Sequence, residues 1–296
     1  HRIYTPSDVD KMLSYIEEYP MGEKIELNDR LTIRYIPAGH ILNSAQIELW
    51  VKNEKKNKTV KILYTSDLGN IKLPKYYAQP FESVDKANIV IGESTYSDKD
   101  RYVKAETRKK DLEKMYEVIK YNEGIVEIPI FAMDRCPNIL TILYELFGYD
   151  KDFKQDIVVD SPLAVKILKH YLEVLEGDDY LKLKEVMDWK NLILIEDAVD
   201  SKEYMSRAKN CVVLTAAGML GAGRSRIWLK HIISGRKNTL LFVGYASHNT
   251  LASKIKDNKG KGVIKIDSKT YPNRCKIMDL KSFTSHMQYD DLLHYY

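Results

Sequence analysis

After about residue 104 the chain alternates regularly between short apolar segments and longer amphipathic ones. The segments "GIVEIPIF" (124–131), "DIVVDSP" (156–162) and "NTLLFVGY" (238–245) have the apolar, β-branched composition of strands. Between them, "CPNILTILYELF" and "AVKILKHYLEVLE" repeat apolar residues at helical spacing. Because helices that connect neighbouring strands imply parallel crossovers, this pattern predicts a doubly wound parallel α/β sheet with both faces covered.

The chain on either side of this unit has a different texture. Three strands are predicted at Thr32–Ile36, Ala45–Val51 and Val60–Tyr64, and "NIVIGESTY" (88–96) has the continuous apolar run of a buried strand. We therefore predict a β-rich part over residues 1–99, an inserted α/β part over residues 100–280, and a short returning segment over residues 281–296.

Composition excludes two broad classes of protein. No run of 18 apolar residues is present, so neither a membrane span nor a membrane partner is predicted. The three cysteines, Cys136, Cys211 and Cys275, contain no C-x-x-C pair, which favours free thiols in a reducing compartment such as the cytoplasm. A net charge of +4 permits a nucleic-acid partner without requiring one.

Three successive strand ends carry side chains that can ligate a metal or move a proton. His40 follows Gly39 in "PAGHILNSA", Asp67 lies in "YTSDLGN", and Glu93 ends the next apolar run. Each residue alone is also an ordinary turn or cap residue. Their shared position favours a site on one rim of a sheet, and both interpretations stay open on spacing alone.

A second group of candidates suits phosphate chemistry. His286 in "SFTSHMQYDDLL" follows hydroxyl residues and precedes a predicted helix, whose N–H groups could bind an anion, although a surface cap is the alternative. Ser161 ends a predicted strand, and Gly218 lies in a glycine-rich turn before a helix. Neither turn is a G-x-G-x-x-G or Walker motif, so a nucleotide-dependent small-molecule enzyme is poorly supported.

Taken together, seven segments resemble the motifs of the β-CASP branch of the metallo-β-lactamase superfamily, in the order of that family: "PAGHILNSA", "YTSDLGN", "IGESTYSD", "DSPLAV", "TAAGMLGAGRS", "TLLFVGYASHNTLASKI" and "FTSHMQYDDLL". That branch includes archaeal and eukaryotic pre-mRNA cleavage endonucleases and bacterial ribonuclease J. The resemblance implies a partial metallo-β-lactamase αββα lobe with an inserted, doubly wound β-CASP domain.

The resemblance also implies roles for the candidates. His40 would be a zinc ligand, Asp67 a catalytic carboxylate that bridges two zinc ions, and Glu93 the residue that orients His286 beside the scissile phosphate. The complete site would hold two zinc ions and hydrolyse single-stranded RNA, with endonuclease and 5′-exonuclease modes both open. Further substrate contacts are expected from three residues, and a homodimer is left open. These residues are Ser161, Gly218 and Ser285.

Two departures from the family pattern affect this prediction. No H-x-H-x-D-H motif is present among the seven histidines, and no further metal-binding histidine follows "FTSH" at the family's distance. We therefore expect a chain truncated at both ends, an incomplete zinc site and an inactive fragment of a ribonuclease. The alternative is a catalytically dead β-CASP protein that binds RNA or acts as a scaffold.

Overall fold

A computed structural model describes residues 3–53, 55, 57–98 and 103–296. The first part of the chain forms one helix and a five-stranded sheet in which the strands lie in chain order. Neighbouring strands are antiparallel, except for the parallel fourth and fifth. The bounds of these elements are α1 (Pro6–Leu13), β1 (Ile25–Asn28), β2 (Leu31–Pro37), β3 (Ala45–Asn53), β4 (Lys58–Tyr64) and β5 (Ile89–Ile91).

The second part contains helices that alternate with strands, as predicted. Its elements are α2 (Ala105–Lys120), β6 (Ile125–Pro129), α3 (Arg135–Phe147), β7 (Asp156–Asp160), α4 (Pro162–Val174), α5 (Gly177–Met187), β8 (Leu192–Ile195), α6 (Ala198–Arg207), β9 (Cys211–Thr215), α7 (Gly223–Ile232), β10 (Thr239–Phe242), α8 (Leu251–Asn258), β11 (Val263–Ile266), β12 (Lys269–Pro272), β13 (Lys276–Asp279) and α9 (Tyr289–Tyr295). Six strands form a sheet of order β13-β10-β6-β9-β7-β8, and all its neighbours are parallel. The predicted fold class is therefore confirmed.

Helices cover both faces of the six-stranded sheet. Val126 of β6 packs in one core with residues of α2 to α5, including Ile139. The neighbouring Ile125 points to a second core, which includes Trp228 of α7. Because both faces are buried, these strands favour apolar residues at nearly every position, and this explains their almost continuous apolar runs.

Two features of the structure differ from the predictions. The apolar run at residues 88–96 forms only the three-residue strand β5, where Ile89, Val90 and Ile91 are 49%, 45% and 54% exposed. Within the described chain, β5 pairs only with β4 at the edge of its sheet, so the buried strand predicted there is wrong. Elements α5, β8 and α6 were not predicted. In α5 only Leu183 and Val186 are buried, which leaves too few apolar positions to mark a helix.

The final segment of the chain returns to the first sheet. His286 forms a β-bridge with Gly69, and the backbone N–H of Met287 donates to the carbonyl of Leu68 at 2.8 Å. Leu68, Met287 and Leu292 form a small core of their own. The boundaries near residues 99 and 280 stay a prediction, and residues 99–102 lie outside the described part.

The three cysteines are buried, and the helices of the described residues are not suited to cross a membrane. Cys136, Cys211 and Cys275 are free and buried, and burial raises the pKa of each thiol to about 12. Buried thiols of this kind are unreactive packing residues. Across the described residues, every helix is too short or too polar to cross a membrane.

One buried carboxyl group in the six-stranded sheet gives a testable effect on stability. Glu127 of β6 is fully buried, and Thr215 donates a hydrogen bond to its Oε1 at 2.9 Å. Burial, with a smaller contribution from Asp160, raises the pKa of Glu127 well above its ordinary value, although the bond from Thr215 opposes this rise. The folded chain therefore keeps a proton that the unfolded chain releases near pH 4.5.

We expect Glu127→Gln to be more stable than the parent at pH 7 and above, with no gain below about pH 4. As pH rises between the unfolded and folded pKa values, the parent loses about 1.36 kcal/mol of stability per pH unit through this group, whereas glutamine loses none. Urea unfolding across this pH range measures the difference. Parallel stability curves for the two proteins would contradict the prediction.

Candidate metal centre and active site

His40 lies in the turn that connects β2 to β3. Its Nδ1 is 3.3 Å from the carbonyl oxygen of Ser285, and because a carbonyl only accepts, Nδ1 carries the proton. Nε2 is then left with the lone pair that a metal requires. Burial, and secondarily the nearby His286, lowers the pKa of His40, which favours this neutral ligand form.

Asp67 lies in the loop after β4, opposite His40. Its Oδ2 is 4.0 Å from Nε2 of His40, and its side chain is 59% exposed. An exposed carboxylate at this distance from an imidazole keeps its oxygens available to a cation. Glu93 positions this loop, because its Oε1 accepts a hydrogen bond from the backbone N–H of Leu68 at 2.5 Å. Its Oε2 accepts a second bond, from the backbone N–H of Thr95 at 3.4 Å.

Glu93 also contacts His286, which comes from the opposite end of the chain. Oε2 of Glu93 is 3.3 Å from Nδ1 of His286, and the Glu93 side chain is only 6% exposed. Burial acts to raise the pKa of Glu93, but hydrogen bonds from His286, Thr95 and Leu68 outweigh it and the pKa is lowered. The buried carboxylate therefore stays ionised and can orient the His286 ring.

Three side chains form a group suited to zinc. The donor atoms of His40, Asp67 and His286 lie within 4.8 Å of one another, and the two imidazole rings are 4.3 Å apart. Two imidazoles and one carboxylate match the three protein ligands of an open zinc site. Sequence reasoning assigned two of these residues to the metal and His286 to the phosphate, and the geometry makes His286 a third available donor.

A cavity of about 520 Å³ opens beside this group. His40, Ser285 and His286 line one part of it together with residues that follow β5, and residues that follow strands of the six-stranded sheet line much of the rest. Among the described residues, its lining includes neither Ser161 nor Gly218.

Ser161 and Gly218 have structural surroundings instead. Ser161 is 3% exposed, and its Oγ accepts a hydrogen bond from the backbone N–H of Ala164 as the N-cap of α4. Gly218 lies against the chain at Ile130 and Phe131, where an added Cβ would be 3.1 Å from the carbonyl carbon of Ile130. Of the three predicted substrate contacts, only Ser285 lies on the cavity.

The cap gives Ser161 a role that can be tested. We expect Ser161→Ala to lower the free energy of unfolding by about 1 kcal/mol, because the first turn of α4 loses its cap, and to leave unchanged any affinity for single-stranded RNA, the substrate that the resemblance implies. Urea unfolding and fluorescence anisotropy with labelled RNA measure the two quantities. A loss of RNA affinity without a loss of stability would support the predicted substrate contact at Ser161.

Two residues beside the cavity were missed in the sequence. Asp134 and Arg135 follow β6, and Ser285 Oγ donates to Asp134 Oδ2 at 2.6 Å. Arg135 Nη2 is 3.4 Å from the same hydroxyl. One indication of this site was present in the sequence, because the polar residues of "FAMDRCP" follow a strand as the other candidates do. The partner of Asp134, Ser285, lies 151 residues away in the chain, and no local pattern pairs them.

Comparison with known proteins agrees with this geometry. Residues 137–255 match the family model of the Beta-Casp domain. The two sheets and the His–Asp–His group agree with a β-CASP protein of the metallo-β-lactamase superfamily, and residues 137–255 match the domain that gives that branch its name. The resemblance inferred from the motifs is therefore confirmed.

Individual relatives are named as RNA-processing proteins. The chain is 29% identical over 299 residues to Ribonuclease TTHA0252 of Thermus thermophilus, which covers 98% of this chain and 65% of that protein. It is 31% identical over 271 residues to Probable RNase MJ4 of Methanocaldococcus jannaschii, and the match covers 88% of this chain and 56% of that protein. It is 25% identical to Cleavage and polyadenylation specificity factor subunit 3 of Dictyostelium discoideum, and the match covers 97% of this chain and 36% of that protein. The chain thus spans about two thirds or less of these relatives.

Proposed function

We propose that the protein is a zinc-dependent RNA phosphodiester hydrolase. The observation that carries this proposal is the convergence of His40, Asp67 and His286 within 4.8 Å at the mouth of a cavity. Imidazole and carboxylate donors beside open space are what a catalytic zinc requires. The names of the relatives support RNA as the substrate, and the unpaired cysteines support a cytoplasmic location.

Each residue of the group has a role that its surroundings fit. His40 and Asp67 would hold the zinc, and Asp67 would be a ligand of both ions in the proposed two-zinc centre. Bound zinc supplies an activated water and offsets negative charge on the phosphate. Glu93 fixes the His286 ring through Nδ1, which leaves Nε2 to donate a proton to the leaving oxygen.

The donor count limits what the 296-residue chain can do. Among the described residues, the group gives two assigned zinc ligands, His40 and Asp67, with His286 kept for the leaving oxygen, and a bridged pair of zinc ions needs more. We therefore propose that this chain holds at most one zinc and does not cleave RNA by itself. Single-stranded RNA is the proposed substrate because an unpaired strand can bend into a cleft of this size.

The test compares the 296-residue chain with the product of the whole gene. Elemental analysis gives the zinc content, and a gel assay on labelled single-stranded RNA gives cleavage. Cleavage is expected to follow zinc content and to stop when a chelator is added. A gene product that holds two zinc ions and binds RNA but does not cleave it would overturn the hydrolase and support the RNA-binding alternative.

A further inference from the structure

The cavity beside His286 has an apolar wall that the proposed chemistry does not use. Phe131 and Met133 follow β6, and Tyr245 follows β10, so they come from the carboxyl ends of adjacent parallel strands. Their side chains are 47%, 48% and 44% exposed. All three line the same cavity as His40 and His286. We call Phe131, Met133 and Tyr245 the apolar wall.

The apolar wall is held firmly by the chain around it. The backbone N–H of Cys136, in the first turn of α3, donates to the carbonyl of Phe131 at 3.1 Å. Gly218 lies against the Phe131 ring, and an added Cβ there would be 3.4 Å from ring atom Cδ2. The ring therefore packs against Gly218 on one edge, and this contact lowers the entropy lost when a ligand binds.

The chemistry of the lining divides the cavity into two kinds of surface. Imidazole, hydroxyl and guanidinium groups come from His286, Thr284, Ser285 and Arg135, and these suit a phosphate. The apolar wall offers aromatic rings and a thioether, which suit a flat apolar group. A nucleotide has both parts, and a cavity of about 520 Å³ lies within the usual range of small-ligand sites, roughly 300–1,000 Å³.

We propose that the apolar wall binds one unpaired nucleobase of the RNA, next to the phosphate that reaches His286. This inference rests on the proposed function and adds the reason for single-strand selectivity, since a base must leave its duplex partner to reach the apolar wall. Stacking on an aromatic ring tolerates every base, so the site selects unpaired RNA rather than a sequence.

The experiment measures binding without cleavage. Fluorescein-labelled oligoadenylate is titrated with the 296-residue chain in a metal chelator, and fluorescence anisotropy reports affinity at several salt concentrations. We expect Phe131→Ala to weaken binding about tenfold, with an unchanged salt dependence because phosphate contacts remain. Phe131→Trp should keep the affinity, and Phe131→Leu should lose it, since leucine is apolar but not planar.

Two controls make the result specific. Tyr121→Ala removes an aromatic ring that is 74% exposed at the end of α2, before β6 begins, and should leave the affinity unchanged. An abasic oligoribonucleotide of equal length should bind the parent and Phe131→Ala equally. An equal loss with abasic RNA, unchanged affinity of Phe131→Ala, or no RNA binding by the parent would each overturn the inference.

The two proposals fail in different measurements. The proposed hydrolase activity is contradicted if a protein with two zinc ions does not cleave RNA. The proposed base site is contradicted if Phe131→Ala leaves the RNA affinity of the metal-free protein unchanged. A catalytically dead protein could therefore still bind a base here.

Discussion

Asp67→Ala is expected to abolish both zinc binding and RNA cleavage, whereas His286→Ala is expected to abolish cleavage and leave zinc binding largely intact. The difference follows from their surroundings. Asp67 is an exposed carboxylate 4.0 Å from His40 Nε2, with oxygens available to a cation. His286 has its Nδ1 committed to Glu93, as suits a proton donor. Loss of one of so few ligands removes most of the affinity for zinc.

Zinc affinity is measured on the 296-residue chain by competition with a chromophoric chelator, and cleavage on the product of the whole gene. Matched controls remove the same side chains elsewhere: Asp257→Ala on the exposed side of α8, and His170→Ala, whose side chain is 65% exposed. Both controls should match the parent. Equal loss of zinc in Asp67→Ala and His286→Ala would make His286 a metal ligand, which the 4.8 Å donor group also permits.

Local pattern was enough to predict most of the fold. The predicted strands at residues 32–36, 45–51 and 60–64 fall within β2, β3 and β4, because they are rich in β-branched and aromatic residues and are separated by polar turns. The α/β alternation likewise fixed a parallel sheet. The pattern failed where burial departs from composition: β5 is apolar yet exposed at an edge, and α5 is too polar to be recognised.

The site was harder to predict, because its contacts join distant parts of the chain. Glu93 and His286 are separated by 193 positions, and no local pattern pairs them. Ser161 was assigned to RNA although "DSPLAV" is also a cap followed by proline at the first helical position, and the structure forms that cap. Strand-end polar residues thus serve both helix capping and chemistry, and only the packing of the two sheets separates these uses.

Gly69→Ala is expected to destabilise the protein by about 3 kcal/mol or more and to weaken zinc binding. Two loops cross at this glycine with backbone against backbone. A Cβ at position 69 would overlap the carbonyl oxygen of Gly39, which no backbone can accept without moving. Gly39 precedes His40, and Gly69 follows Asp67 by two positions while forming a bridge with His286. Separation of these loops therefore separates all three donors.

The cause is steric, because Gly69 does not have the left-handed backbone that only glycine adopts easily. Gly221→Ala is the matched control, since position 221 also avoids that region and a Cβ there meets nothing within 4 Å. Alanine at 221 should leave stability and zinc affinity unchanged or raise stability slightly. Urea unfolding with circular dichroism and zinc competition measure both variants. If Gly69→Ala folded with parental stability and bound zinc as the parent does, the loops would not cross in contact, and the donor group would have to be held together by other residues.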